Sequence, residues 1–520
     1  MKFSEQLRWR LNPSRRAAAV MVVAALFAST LPAEALAADE GAAPVSAITI
    51  ANYTQGRIFQ REKGTYSSFN DGTKTLSISG TYAGGIPTAI VATINGRAYA
   101  CSITSAADGN WTATIPSVPA GDGYQISIVA APGAASASQS TTFGIGILFA
   151  MIGDSIMNQM GSTSQGPAAA DSHARWTQAV GWWPTSADKN GVARRGGNGL
   201  VALGNAIRSC FTTAARGNTT PVGFIMGAQG GTASGYWQAP RAAWNRWVAM
   251  VTDPDVGGDY EMVLSNLGTS DTDIGQTPGT APTFLTNYHN LYAQMQAQTG
   301  RDTSQLKFGV AFTGAIVNSE VADANVDFVR TGEAAQSAAA GCFWLGSNTD
   351  YTHGRDGIHF SAAAYERIGA RYAIAICKQY GILPYGNEGP QISGARWAVG
   401  SNQLVVDITH LSGGTALKDG DGGTSGAGLI GFTVTSSGGQ TISSTAFSGN
   451  TILLTMSAIR GNSDTVSLCY CGGRNPWGWT NSGDSIDKLV FDNRASYADD
   501  TTGFPLQPTQ GGLASPMTVT

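Results

Sequence analysis

Charge is what this chain has least of: 31 Lys and Arg against 35 Asp and Glu in 520 residues, 13% in all. So little charge excludes a coiled coil, a histone-like protein and a charge-rich disordered chain. A net charge of −4 offers no basic surplus for nucleic acid or an anionic membrane surface. Histidine is scarce at 5 and cysteine at 6, with no Cys-x-x-Cys pair, which argues against a zinc site. Beyond the N-terminal region no apolar stretch approaches the ~20 residues that cross a bilayer, so no integral membrane segment is expected. What is plentiful is glycine, 67 residues, and apolar side chains, 42%, enough for sizeable cores. The length suggests two to four domains at roughly 100–200 residues each. Abundant Gly, Ser, Thr, Asn and Trp with little charge fits an exported, β-rich protein that meets polar, uncharged ligands.

Residues 1–37 read as an export signal. Lys2, Arg8, Arg10, Arg15 and Arg16 form a positive region, Ala17–Leu31 is apolar, and Ala35-Leu36-Ala37 is a small-residue cleavage site. Ala-Ala-Ala-Val follows Arg15-Arg16 where a twin-arginine signal has bulky residues, so the ordinary secretory route is expected. The expected location is periplasmic or secreted, with cleavage after Ala37. Six cysteines in an exported chain could form up to three disulfides of unreadable connectivity, although Cys469 and Cys471, alternating on one strand, also read as buried thiols.

Three regions follow. Residues 38–146 alternate apolar and polar in short runs (Thr75–Ser79, Ala89–Ile94, Trp111–Ile115, Tyr124–Val129) separated by Gly-rich turns, the pattern of a β-sandwich. Residues 147–389 carry unbroken apolar runs (Ile147–Ile152, Val222–Met226, Met262–Leu267, Phe308–Phe312) between helical patterns such as Phe284–Gln298 and Ala362–Tyr380, the latter with Ser361 as its N-cap. Buried parallel strands with intervening helices predict a doubly wound α/β domain. Residues 390–520 return to strands (Gln403–Ile408, Gly428–Val434, Thr451–Met456, Thr465–Tyr470) and predict an all-β domain with a loose tail.

The chemistry begins where the first buried strand ends, at Gly153-Asp154-Ser155. Ligands bind at the carboxyl ends of strands in an open α/β sheet, and a serine on a sharp turn there can meet substrate. A serine hydroxyl needs a base, and the base an orienting partner. Some 200 residues on, just before the last helix, Asp356-Gly357-Ile358-His359 supplies both. The candidate catalytic set is therefore Ser155 as nucleophile, His359 as base and Asp356 as orienting carboxylate. His353 completes an H-x-x-D-x-x-H string, but His359 is already assigned and a fourth ligand is wanting, so no metal is expected. Asp154 reads as a structural hydrogen-bonding residue. Trp182, Trp183 and Trp237 fall in loops near the catalytic end and are candidates for stacking on a sugar ring.

These blocks resemble the GDSL/SGNH hydrolase superfamily: Gly-Asp-Ser first, Asp-x-x-His last, the Val222–Trp237 strand with its Gly-Gly-Thr loop second, and Leu267-Gly268-Thr269-Ser270-Asp271 third. The flanking regions are similar to the β-domains of sialate O-acetylesterase-like proteins, through Gly109–Pro116, Ala120–Tyr124, Leu417–Gly420 and Gly503–Pro508. The resemblance implies a flavodoxin-like SGNH domain that removes O-acetyl or other acyl groups from poly- or oligosaccharide through an acyl-enzyme, without a cofactor. It implies an oxyanion hole from the backbone N–H groups of Ser155 and Gly231 (or Gly230). The superfamily's asparagine donor is here Ser270, with Gln229, Thr269 and Asn266 as substitutes. An exported protein of this kind would act on exopolysaccharide or plant-derived glycan and could work beside polysaccharide synthesis or export machinery. Two other functions share these features: a polysaccharide O-acyltransferase using the same triad, and a non-catalytic glycan-binding scaffold.

Overall fold

The computed structural model describes residues 42–62, 72–162, 174–177, 198–211, 220–272, 283–354, 356–480, 484–494, 503–509 and 516–520. The expected export signal, Trp182 and Trp183 lie outside the described residues, as does the side chain of Cys210. The chain divides into two compact units. One holds the chain up to Tyr53 with Thr75–Val118 and Tyr124–Thr142; the other holds Thr54–Lys74, Pro119–Gly123 and Phe143–Thr520.

The first unit is built from two four-stranded sheets. Ala89–Ile94 pairs antiparallel with Arg97–Ala100 across an Asn95-Gly96 turn in which both residues have positive φ, 48° and 77°. That is the two-residue turn whose twist matches paired strands, and Asn-Gly supplies it cheaply. Trp111 is fully buried, its indole N–H donating to the Thr49 carbonyl at 3.0 Å.

The second unit centres on a parallel sheet of β1 (Phe143–Gly153), β2 (Ala174–Thr177), β3 (Val222–Met226), β4 (Met262–Asn266), β5 (Lys307–Phe312) and β6 (Cys342–Ser347), in the order β2-β3-β1-β4-β5-β6. Every neighbouring pair on that path runs parallel. In β1, Ile147, Phe149 and Met151 enter one core while Leu148, Ala150 and Ile152 enter another on the opposite face. Burial on both faces explains why the strand reads as an unbroken apolar run. Helices α1 (Ser155–Ser162), α2 (Asn198–Phe211), α3 (Ala242–Val251), α4 (Phe284–Thr299), α5 (Asp323–Ser337) and α6 (Ala362–Gln379) connect the strands. Ser361 caps α6, accepting the Ala364 N–H at 3.2 Å, as its position predicts. The strand order reverses at β1, whose neighbours β3 and β4 follow it in the chain, so a crevice opens beyond its carboxyl end.

From Pro390 onward the same unit carries sheets of four, two and three strands. Their core, around Leu404, Ile452, Leu468 and Phe491, takes in Ala315 from the loop after β5. Cys101, Cys342, Cys377, Cys469 and Cys471 are free thiols, so the disulfides allowed by composition are not formed among them. Among the described residues no helix is long and apolar enough to cross a membrane.

Candidate active site

Ser155 opens α1 immediately after β1. The turn that delivers it demands glycine: at Gly153, φ is 151° and a Cβ would lie 2.1 Å from the Asn266 carbonyl oxygen of the adjacent strand. Asp154, fully buried, braces the turn. One carboxylate oxygen accepts the Ile156 N–H at 3.1 Å and the other accepts the Ser270 N–H at 2.9 Å. Burial pushes its carboxyl above the usual range, against the N–H donors of Ser270, Ile156 and Gly268. The Ser270 loop is tied onward by buried Asp271, which accepts the Ser234 backbone N–H at 2.9 Å and its hydroxyl at 2.7 Å. Two carboxylates thus lock the serine turn, the Ser270 loop and the Gly-Gly-Thr loop together, and Asp154 plays the structural part read from sequence.

Asp356 and His359 stand on a hairpin-like loop before α6. His353 bridges Phe360, and the Gly354 N–H donates to the His359 carbonyl at 2.6 Å. Asp356 accepts the Ile358 and His359 N–H groups at 3.0 and 2.8 Å and faces His359 Nδ1 at 2.5 Å. Burial alone would raise the Asp356 carboxyl, but the His359 ring and these two N–H groups outweigh it and hold it below the usual range. A carboxylate at Nδ1 selects the tautomer that leaves Nε2 free to accept a proton. His359 Nε2 is buried and has no hydrogen-bond partner among the described residues.

Ser155, Gly231, Ser270 and His359 line one cavity of about 200 Å³, whose lining also includes Ile316, Val321 and Ile358. No hydrogen bond joins Ser155 to His359 Nε2, a looseness common in catalytic sites without substrate. Among the described residues nothing engages the backbone N–H of Ser155 or Gly231 or the Ser270 hydroxyl. Of the substitutes for the missing asparagine, Asn266 is withdrawn because its carboxamide donates to the Tyr372 hydroxyl at 3.0 Å, whereas Thr269 lines the cavity.

One sequence reading is corrected. Trp237 does not line a glycan cleft: it is fully buried in the apolar layer with Trp244, Trp247 and Tyr260. Its place beside a glycine-rich loop suggested exposure, but the short helix Ser234–Trp237 turns the indole into the core. His353 stands apart from the other two residues of its H-x-x-D-x-x-H string. Its Nδ1 lies 2.9 Å from Asp484 and its Nε2 2.7 Å from the Ala315 carbonyl oxygen, so both ring nitrogens are engaged away from Asp356 and His359. The sequence reading missed the supports of this loop altogether. Arg330 donates to the carbonyls of Thr313, Gly314, Cys471 and Gly473, and Trp477 donates to the Thr349 carbonyl at 2.7 Å. No local signal marks these pairs, which are separated by more than a hundred residues wherever they reach past residue 470.

Residues 138–378 match the family model described as carbohydrate esterase, sialic acid-specific acetylesterase. A carbohydrate acetylesterase from Xanthomonas citri superposes with a TM-score of 0.56 at 16% identity, covering 88% of this chain and 97% of that one. The fold is therefore shared across nearly the whole chain. A carbohydrate acetylesterase from Sinorhizobium meliloti overlaps 45% of this chain and 99% of its own, at 15% identity and a TM-score of 0.29. No curated protein matches the chain.

Proposed function

We propose that the chain is a sialate O-acetylesterase-like carbohydrate esterase, a carboxylic ester hydrolase that removes O-acetyl or related acyl groups from poly- or oligosaccharide through a Ser155–His359–Asp356 acyl-enzyme. One observation carries this reading. Ser155 and His359 line the same cavity, with His359 Nδ1 held by Asp356 and its Nε2 unengaged.

Ser155 Oγ attacks the ester carbonyl while His359 Nε2 takes its proton. The tetrahedral oxyanion receives hydrogen bonds from the Ser155 and Gly231 N–H groups and the Ser270 hydroxyl. Each such donor is worth about 3–4 kcal/mol at the transition state. His359 returns the proton to the departing sugar oxygen as the carbonyl–oxygen bond breaks. Water then enters, loses a proton to His359 and releases the free acid, with the proton returned to Ser155. Read with the N-terminal export signal, the substrate is an extracytoplasmic glycan.

The test is acetate release from p-nitrophenyl acetate and from acetylated oligosaccharides by the mature protein and by Ser155→Ala. Acetate formed only by the wild type supports hydrolysis. Acetyl groups appearing on an added glycan would replace it with transfer, and glycan binding without ester cleavage would leave a scaffold.

A further inference from the structure

The hairpin that carries Asp356 and His359 is fastened by a residue that the triad does not use. His353 lies opposite Phe360 in the same hairpin, one residue from His359 across the pairing. Its side chain is fully buried. Nε2 lies 2.7 Å from the Ala315 carbonyl oxygen, in the loop that leads from β5 to the cavity wall at Ile316. Nδ1 lies 2.9 Å from Asp484 Oδ2, which also accepts the His353 backbone N–H at 2.8 Å.

A carbonyl oxygen can only accept, so Nε2 carries a proton. Asp484 Oδ2, already accepting one N–H, is suited to accept a second from Nδ1. Both nitrogens are thus held, Nε2 by the Ala315 carbonyl and Nδ1 by Asp484 Oδ2. The tip of the hairpin is held separately, by the Val317 N–H donating to the Gly357 carbonyl at 2.8 Å. With tip and base both pinned, His359 has little freedom to swing away from Ser155.

We propose that His353 is a positioning residue for the ester-cleaving step, clamped between Asp484 and the Ala315 carbonyl so that the hairpin presents His359 Nε2 to Ser155. The proposal rests on the Ser155–His359 reading above and adds the residue pair that sets its geometry. It also gives the strands after Pro390 a part in catalysis, because Asp484 lies 131 residues from its partner and belongs to that C-terminal region.

Displacing a base by about 1 Å can cost on the order of 10²-fold in rate without altering how the substrate is bound. His353→Gln can reach only one of the two acceptors, and Asp484→Asn keeps the shape but loses the charge. With p-nitrophenyl acetate, His353→Gln is expected to lower kcat about 10- to 100-fold at nearly constant KM. Asp484→Asn should fall between it and the wild type, and below it should lie Asp484→Ala. Near-UV circular dichroism at the assay temperature establishes that each variant is folded, and Asp484→Asn supplies the comparison should His353→Gln be unfolded. Folded variants with wild-type kcat would overturn the proposal, as would a rise in KM with kcat unchanged. A wild type without Ser155-dependent activity would instead overturn the esterase reading itself, so the two failures are told apart.

Discussion

The two walls of the cleft are held by different means. On the serine side, every brace comes from the ends of neighbouring parallel strands. Gly153 nests against Asn266, Asp154 grips Ser270, and Asp271 grips Ser234. On the histidine side the Ala315 carbonyl and the Val317 N–H are joined by braces from more than a hundred positions away, after the sheet is complete: Asp484 on His353, Cys471 and Gly473 on Arg330, Trp477 on Thr349. The serine wall is a property of the α/β sheet and its loops. The histidine wall needs the C-terminal strands as well, so a lesion there is expected to reach the chemistry through the position of His359.

Damage to either wall sharpens this contrast. The largest effect is expected at the reacting atoms: Ser155→Ala should lower kcat/KM for p-nitrophenyl acetate by about 10⁴-fold or more with the unfolding midpoint unchanged. Retained turnover would mean that another group attacks the ester. Arg330→Ala comes next. It removes a buried guanidinium that donates to four carbonyls and stands near buried Glu333, and should destabilise the protein by about 3–5 kcal/mol in denaturant unfolding. A stability close to the wild type would show that the C-terminal strands do not hold the histidine wall through this residue. Ser270→Ala acts on the serine wall alone. If its hydroxyl is the third oxyanion donor, kcat should fall about 10²-fold and Ser270→Asn should retain more activity than Ser270→Ala. Equal rates would leave the hole to the two backbone N–H groups.

The same contrast explains what could be read before the fold was seen. Val222–Met226 and Ala89–Ile94 are strands to the residue, because each is a short apolar run bounded by turn residues and leaves a local pattern. The Ser155 turn and the Asp356–His359 loop were legible for a related reason: each is a short motif of fixed spacing. β6 was not read as a strand. Cys-Phe-Trp-Leu-Gly-Ser is short, its pairing to β5 is interrupted between Trp344 and Gly346, and only part of it is buried. The His353–Asp484 clamp and the Arg330 bonds leave no local trace, since each end taken alone is an ordinary polar residue. Trp237 shows the opposite error, for an aromatic residue beside a glycine-rich loop has the same sequence whether it faces sugar or core.

The smallest effect concerns a buried acid in the serine wall. Burial pushes Asp271 up to about 7, with the Ser234 donors acting against it and the nearby Asp154 acting with it. An unfolded aspartate titrates near ~3.9. Between those values the native state holds a proton that the unfolded state has lost, so stability falls as pH rises, by at most ~1.4 kcal/mol per pH unit. Asp356 works in the opposite sense and in another window. Its folded carboxyl is held below the usual range, so what it contributes is lost only as the solution is acidified below about 4. Asp271→Asn keeps an oxygen to accept from Ser234 and removes the titration. The stability of the variant relative to the wild type should therefore rise steadily from pH 4.5 to 7 in denaturant unfolding. Parallel curves across that range would show that Asp271 is ionised throughout, its charge held by the Ser234 donors.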